Sequence, residues 1–131
     1  MVICRSLVPI FRRQGEGRLI FIGSESALRA GKKGALYSAA KYGLRGFCQA
    51  LREDCGSDGI QVSLVNPGMV RSPFFDDLSF EPGPESMNAI EVADVADVVW
   101  QIMQSSHDIV IDEVNLSPRV KSINHGKKNR S

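Results

Sequence analysis

Residues 17–24 read GRLIFIGS, a short apolar run that is closed by a glycine and a serine. An uninterrupted run of this kind is typical of a strand buried on both faces, as in a parallel sheet. A second strand is predicted at residues 60–65, and the sequence Asn66-Pro67-Gly68 directly after it is expected to end it. A third strand is predicted at residues 109–116. The sequence therefore predicts a parallel sheet of about three strands.

Helical segments separate these strands. Apolar residues at helical spacing predict helices over residues 2–13, 35–55 and 91–105. Helices that alternate with strands imply right-handed crossovers and a doubly wound α/β fold. Residues 25–34 are expected to form a loop, and residues 71–89, rich in Pro, Gly, Ser and Phe, an irregular excursion.

The composition bounds the function. A chain of 131 residues has room for one modest domain. Its 16 basic and 15 acidic residues leave a net charge of +1, which gives no electrostatic reason to expect nucleic acid or an anionic membrane as partner. No apolar run approaches the roughly 20 residues that span a bilayer, and the 3 cysteines lack metal-ligand spacing. We expect a cytoplasmic protein without a metal site.

Tyr37 and Lys41 are four residues apart at the start of the predicted 35–55 helix. Residues at this spacing share a helix face. A neighbouring ammonium stabilises a phenolate, so Tyr37 can act as a general acid/base with Lys41 beside it. Ser24 follows a strand end, where ligands collect in open parallel sheets, and its hydroxyl can bond a carbonyl oxygen that gains charge. The structural alternative for the pair is a surface lysine beside a half-buried tyrosine.

Three segments in order carry a family resemblance: IGS at residues 22–24, YSAAKYGL at 37–44 and VNPGMVRS at 65–72. Together they resemble the signature series of the classical short-chain dehydrogenases/reductases, over residues 1–116. The resemblance implies a partial Rossmann-like fold and an NAD- or NADP-dependent oxidoreductase. Such an enzyme transfers a hydride between the nicotinamide and a carbonyl or secondary-alcohol substrate.

The same resemblance implies a role for each catalytic residue. Ser24 positions and polarises the substrate carbonyl, and Tyr37 donates or accepts the proton. Lys41 supports the tyrosine and bonds the hydroxyls of the nicotinamide ribose. The alternative for Ser24 is that it only caps or shapes a turn.

The segment that begins at Pro67 and Gly68 is expected, by the resemblance, to touch the nicotinamide carboxamide. Backbone groups of Val70 and the hydroxyl of Ser72 would make the contacts. Ser72 stands where the family usually has threonine. The structural alternatives are that Pro67-Gly68 only ends a strand and that Ser72 is a helix N-cap.

Phe74, Phe75 and Phe80 lie in the excursion that follows. In the family this region forms a lid over the substrate, so three aromatic residues suggest an apolar pocket. The alternative is that they form a small core of the lid itself.

The predicted 35–55 helix carries a stripe of small residues at Ala39, Gly43, Gly46 and Ala50. Glycine inside a helix costs about 1 kcal/mol relative to alanine, so two of them suggest a close contact. We expect a homo-oligomer paired through this helix, as is common in the family. Close packing against the chain's own sheet is the alternative.

The family opens with a strand, a glycine-rich turn and a helix that cradle the pyrophosphate, and no such motif occurs in the sequence. The first predicted strand also lacks a neighbour on its outer side. We therefore expect residues 1–116 to be the C-terminal part of the family's domain, truncated from an oxidoreductase, with a flexible, polar, basic tail at 117–131. One alternative is a non-catalytic half-fold or interaction protein that is stable only with a partner subunit. The other is a short enzyme that is active by itself.

Overall fold

The computed structural model describes residues 2–32 and 34–125. Within these residues the chain forms three α-helices and seven strands. The helices are α1 (Val2–Gln14), α2 (Ala35–Cys55) and α3 (Val92–Gln104). The strands are β1 (Gly17–Ile22), β2 (Ile60–Pro67), β3 (Val70–Arg71), β4 (Glu81–Pro82), β5 (Ile90–Glu91), β6 (Glu113–Leu116) and β7 (Ile123–Asn124).

The central sheet has three strands in the order β1-β2-β6, and all of them are parallel. In the register, Gly17 pairs with Ile60 and Leu64 with Glu113. β2 is buried along its whole length, because it lies between the other two strands and helices cover both faces of the sheet. β1 lies at the edge, and Ile22 at its end is 47% exposed. These features confirm the predicted three-stranded parallel α/β sheet.

Helices cover both faces of the sheet. Ile60, Val62 and Leu64 alternate along β2, and they share one hydrophobic core with buried residues of α1 and α2. The intervening Gln61 points to the other face, where its amide donates to the carbonyl oxygen of Ser106 just after α3. α3 contacts β2 on this face through its own buried side, which includes Ile102. The arrangement is doubly wound, as predicted.

The starts of β1 and β2 lie side by side because two turns approach closely. Gly59 has φ +76°, and a Cβ atom built there would lie 2.1 Å from the carbonyl oxygen of Gly15. The Gly17 N–H also donates to the Gly59 carbonyl at 3.2 Å. Only glycine has both the conformation and the space for this contact.

The third strand is shorter than predicted. Residues 109–116 were expected to form it, but β6 begins at Glu113. Side chains from elsewhere bind the backbone before that point: Gln61 donates to the Ile109 carbonyl, and Arg52 donates to the Asp112 carbonyl at 2.7 Å. The Asp112 carbonyl also accepts from the Leu64 N–H of β2 at 3.0 Å, and the apolar run ahead of Asp112 is irregular.

Part of the expected tail is packed. β7 pairs antiparallel with β4, the Val120 N–H donates to the Met87 carbonyl at 3.0 Å, and Lys121 forms an ion pair with Glu25. These bonds attach the segment to the excursion and to the turn after Ser24, and the flexibility expected of residues 117–131 stays a prediction. Residues 126–131, the remainder of that prediction, lie outside the described residues.

Candidate active site

Ser24 lies two residues beyond the end of β1 and begins a 3₁₀ turn at Glu25–Ala27. It is buried, and its hydroxyl oxygen accepts a hydrogen bond from the Ser26 N–H at 3.1 Å. The side chain therefore shapes the turn, which is the structural role considered for Ser24 in the sequence analysis. A hydroxyl that accepts one bond can still donate its own proton to another group.

Tyr37 and Lys41 lie together in the first two turns of α2, where their spacing predicts a shared face. The Lys41 ammonium is 5.6 Å from the centroid of the Tyr37 ring, within the range of a cation–π contact. Tyr37 is 43% exposed. Within residues 2–32 and 34–125, the Lys41 ammonium has no carboxylate partner and the Tyr37 hydroxyl no hydrogen bond. Both polar groups are thus open to a ligand.

The serine turn and α2 form one packed unit. α2 lies against the 3₁₀ turn that follows Ser24. The Tyr42 hydroxyl, one residue after Lys41, donates to the Leu28 carbonyl at 2.9 Å at the end of that turn. This bond ties the turn to the stretch of α2 that bears Tyr37 and Lys41.

Pro67 ends β2, and Gly68 lies in a crowded position directly after it. The Gly68 N–H donates to the Leu116 carbonyl at 2.8 Å. A Cβ atom on Gly68 would lie 3.1 Å from Pro118 Cδ and 3.2 Å from Glu25 Oε2. Close packing is therefore one reason for the glycine, beside any contact with a cofactor.

Val70 belongs to β3, which pairs in parallel with β5. Ser72 occupies the N-cap position of a 3₁₀ turn at Pro73–Phe75, but its hydroxyl makes no capping bond. It donates instead to the Val70 carbonyl at 3.4 Å. The hydroxyl thus does not act as the N-cap considered above, and its contact with a carboxamide stays a prediction.

The three phenylalanines of the excursion differ in their surroundings. Phe75 is buried, and its ring lies between those of Phe74, at 5.1 Å, and Phe80, at 5.8 Å, measured between centroids. Phe74 is 59% exposed and lies 6.4 Å from the Tyr37 ring. The excursion thus has a small core of its own, as the structural alternative held, and Phe74 is the one of the three in contact with the tyrosine.

Sequence reasoning missed three polar residues that lie behind Ser24. Asn66 is fully buried and accepts a hydrogen bond from the Ser24 N–H at 3.3 Å. Its amide donates at 2.6 Å to Glu113, which also accepts from Arg45 at 2.8 Å. Two signals were present in the sequence: a carboxylate in the apolar run of the third strand, and an arginine four residues after Lys41.

The cysteines lie in the core rather than at the site. Burial raises the pKa of the Cys48 thiol from 9.0 to about 11, and burial also raises the pKa of Cys55. A thiol of this kind stays protonated at neutral pH and is a poor nucleophile. In the part of the chain that the structure describes, no three metal-ligating side chains cluster. Of the helices described there, none has the length and apolar character needed to cross a membrane.

Comparisons with known proteins identify the family and the fold. Residues 1–82 match the short chain dehydrogenase family. An uncharacterized oxidoreductase of Staphylococcus epidermidis is 27% identical over 117 residues, which are 88% of this chain and 49% of the relative. A serine dehydrogenase of Escherichia coli has the same fold with a TM-score of 0.71 at 23% identity, over 86% of this chain and 45% of that chain.

A serine dehydrogenase in a closed form complexed with NADP⁺ has a TM-score of 0.71 at 18% identity. The match covers 97% of this chain and 52% of that one. This chain therefore spans about half the length of the relatives that it matches.

Proposed function

The chain belongs to the short-chain dehydrogenase family, and on that premise we propose that Ser24, Tyr37 and Lys41 form the proton-transfer site of a nicotinamide-dependent oxidoreductase. The substrate class is a small carbonyl compound or the corresponding secondary alcohol. The observation that carries the proposal is the Lys41 ammonium at 5.6 Å from the Tyr37 ring centroid, with both polar groups open to a ligand.

The chemistry divides between the cofactor and the side chains. A bound nicotinamide supplies or accepts the hydride. During reduction, the Ser24 hydroxyl donates a hydrogen bond to the carbonyl oxygen and stabilises its growing negative charge. Tyr37 donates its phenolic proton to that oxygen, and the Lys41 ammonium stabilises the phenolate that remains. In the oxidation of an alcohol the tyrosinate takes the proton back.

The residues present fit the nicotinamide end of an NAD or NADP molecule. The Lys41 ammonium, which has no carboxylate partner among the described residues, would hold the ribose hydroxyls. Backbone groups of Val70 and the Ser72 hydroxyl, in the segment after Pro67 and Gly68, would hold the carboxamide. The serine dehydrogenase that binds NADP⁺ in this fold supports the same cofactor class.

The excursion supplies the substrate wall in this proposal. Phe74 presents a ring that is 59% exposed beside Tyr37, so the apolar part of a substrate would lie against it. Phe75 supports Phe74 through an edge-to-face contact, and Phe80 supports Phe75 in the same way. We propose that these three residues form the lid, with Phe74 as its contact surface.

The chain's 2 tyrosines provide the test. Both lie on α2, and their exposures are nearly equal, 43% for Tyr37 and 44% for Tyr42. In an assay of NADH and NADPH oxidation with a panel of carbonyl compounds, Tyr37→Phe should lower kcat by roughly 10²- to 10⁴-fold, because a positioned acid is lost. Tyr42→Phe loses only the bond to the Leu28 carbonyl and no proton donor, so it should lower kcat far less than Tyr37→Phe. A Tyr37→Phe variant with unchanged kcat would defeat the assignment.

We also propose that the chain forms a homo-oligomer through the 35–55 helix. Ala39, Gly43, Gly46 and Ala50 are all exposed, and a Cβ atom on either glycine would meet nothing within 4 Å. This stripe does not pack on the chain's own sheet, so it is available to a second subunit.

A non-catalytic interaction protein is the second candidate, favoured by the exposed edge of β1, where Ile22 is 47% exposed. A sheet edge with an apolar residue at its end is a place for another chain to bind. The two candidates differ in the tyrosine test: an interaction protein would give no nicotinamide oxidation with any carbonyl compound, in wild type or in either variant.

A further inference from the structure

We propose that Asn66 is a positioning residue for the reaction, because it links the Ser24 turn to the face of α2 that carries Tyr37 and Lys41. The inference rests on the proposed function of that site. It adds a residue that touches neither substrate nor cofactor and acts through the serine.

The amide of Asn66 can take only one orientation. Its Oδ1 accepts from the Ser24 N–H at 3.3 Å, and its Nδ2 donates to Glu113 Oε1 at 2.6 Å and to Asn115 Oδ1 at 3.0 Å. A backbone N–H can only donate and an ionised carboxylate can only accept, so a flipped amide would lose both bonds. Asn66 is fully buried, so an unpaired polar group there would destabilise the folded chain.

The link continues from Glu113 to α2. Glu113 Oε1 also accepts from Arg45 Nε at 2.8 Å. Arg45 follows Lys41 by four residues and Tyr37 by eight, so the three side chains lie along one side of the helix. Because a helix is stiff over two turns, a bond at Arg45 also fixes where the reacting groups stand relative to the sheet.

Contact between the backbone and the amide strengthens the coupling. A Cβ atom at Gly23 would lie 2.3 Å from Asn66 Oδ1. The chain just before Ser24 therefore lies directly against the Asn66 side chain. A change in this side chain moves the backbone that carries the serine hydroxyl, and a misplacement of about 1 Å in an active site can lower the rate by about 100-fold.

Asn66→Leu tests the link, since leucine has the same branched shape and makes no side-chain hydrogen bonds. We expect kcat to fall by roughly 10- to 100-fold while the KM for the nicotinamide nucleotide changes little, because the serine bonds the substrate and not the cofactor. Gln61→Leu is the matched control. Gln61 is also buried on β2, but its bonds go to Arg18 and the segment after α3. The Gln61→Leu variant should have a lower free energy of unfolding and an unchanged kcat.

A double variant separates positioning from stability. Asn66→Asp alone keeps the acceptor for the Ser24 N–H but sets two carboxylates together, so kcat should fall. Asn66→Asp combined with Glu113→Gln reverses the direction of the central hydrogen bond and should restore most of the lost kcat. A double variant no better than the single one, or an equal loss of kcat in Gln61→Leu, would overturn the inference.

A second readout needs no activity. Hydrogen exchange of the Ser24 amide, followed by NMR, should accelerate in Asn66→Leu and not in Gln61→Leu, because the only acceptor described for this N–H is removed. Unchanged Ser24 exchange in Asn66→Leu would overturn the inference, whatever the activity. Wild-type protein without nicotinamide-dependent activity would instead contradict the proposed function, so the two failures are distinct.

Discussion

Phe74 and Phe75 are adjacent in the sequence, yet their side chains have different surroundings. Phe74 is 59% exposed beside Tyr37, whereas Phe75 is 7% exposed between two rings. Phe74→Ala should raise the KM for the carbonyl substrate and leave the free energy of unfolding nearly unchanged. Phe75→Ala should lower that free energy by about 3 kcal/mol, since it leaves a cavity. Urea unfolding and steady-state kinetics of both variants measure the two effects; equal losses of stability would contradict this division of roles.

At the residue scale, sequence spacing predicts only local contacts. Tyr37 and Lys41 could be placed together because four residues make about one helical turn. The contact between Asn66 and Glu113 spans 47 residues and depends on the register between β2 and β6. No local pattern carries that register, so the polar link behind Ser24 required the structure.

At the scale of elements, the helices and the first strand are predictable because local signals bound them, whereas β2 continues to Pro67, past its predicted end at residue 65. Gly15, with φ +74°, ends α1, and Gly56 follows the last residue of α2. The predicted start of the third strand was wrong: β6 begins at Glu113, and a side chain of β2, Gln61, binds the Ile109 carbonyl ahead of it. The apolar residues of this segment do not indicate that a side chain from another element will bind its backbone.

The core between α1, α2 and the sheet makes the stability depend on pH at the alkaline end. Burial raises the pKa of Cys48 to about 11 in the folded state, against 9.0 ordinarily. Below pH 9 the thiol is protonated in both states and its contribution is complete. From about pH 9 to 11 only the unfolded thiol ionises, so the folded state loses stability as the pH rises.

Urea unfolding at pH 8 and pH 10.5 should therefore show a lower free energy of unfolding at the higher pH. Cys48→Ala removes this thiol and should reduce the difference between the two pH values, even though the smaller side chain lowers stability at both. The same pH dependence in wild type and Cys48→Ala would show that the thiol does not contribute.

At the scale of the whole molecule, three places on the surface expose apolar or small residues. Val2 and Ile3 on α1 are 82% and 70% exposed, and Ile22 lies at the open edge of the sheet. The small-residue stripe of α2 is exposed as well. The doubly wound order could be predicted because helices and strands alternate along the sequence. Which partner covers these surfaces could not be predicted, because binding a partner requires no periodic sequence pattern.

Gly46→Leu tests assembly through the α2 stripe. A leucine there meets nothing in the chain itself, because a Cβ atom has open space around it. It should prevent close approach of a second helix and lower the sedimentation coefficient toward that of a single chain. Gly56→Leu, also in open space but at the end of α2, should sediment like wild type. An unchanged coefficient for Gly46→Leu would contradict pairing through this helix.

We propose that the face of α2 with Tyr37 and Lys41 receives a nicotinamide nucleotide. The most direct test of this proposal is a titration of the chain with NADH and NADPH, followed by the fluorescence of the reduced nicotinamide. We predict saturable binding of one or both nucleotides, weakened about tenfold or more by Lys41→Met because charged hydrogen bonds to the ribose are lost. Lys32→Met, which changes an exposed lysine ahead of α2, should bind like wild type. Absence of saturable binding in wild type, or equal affinity in Lys41→Met, would contradict the account.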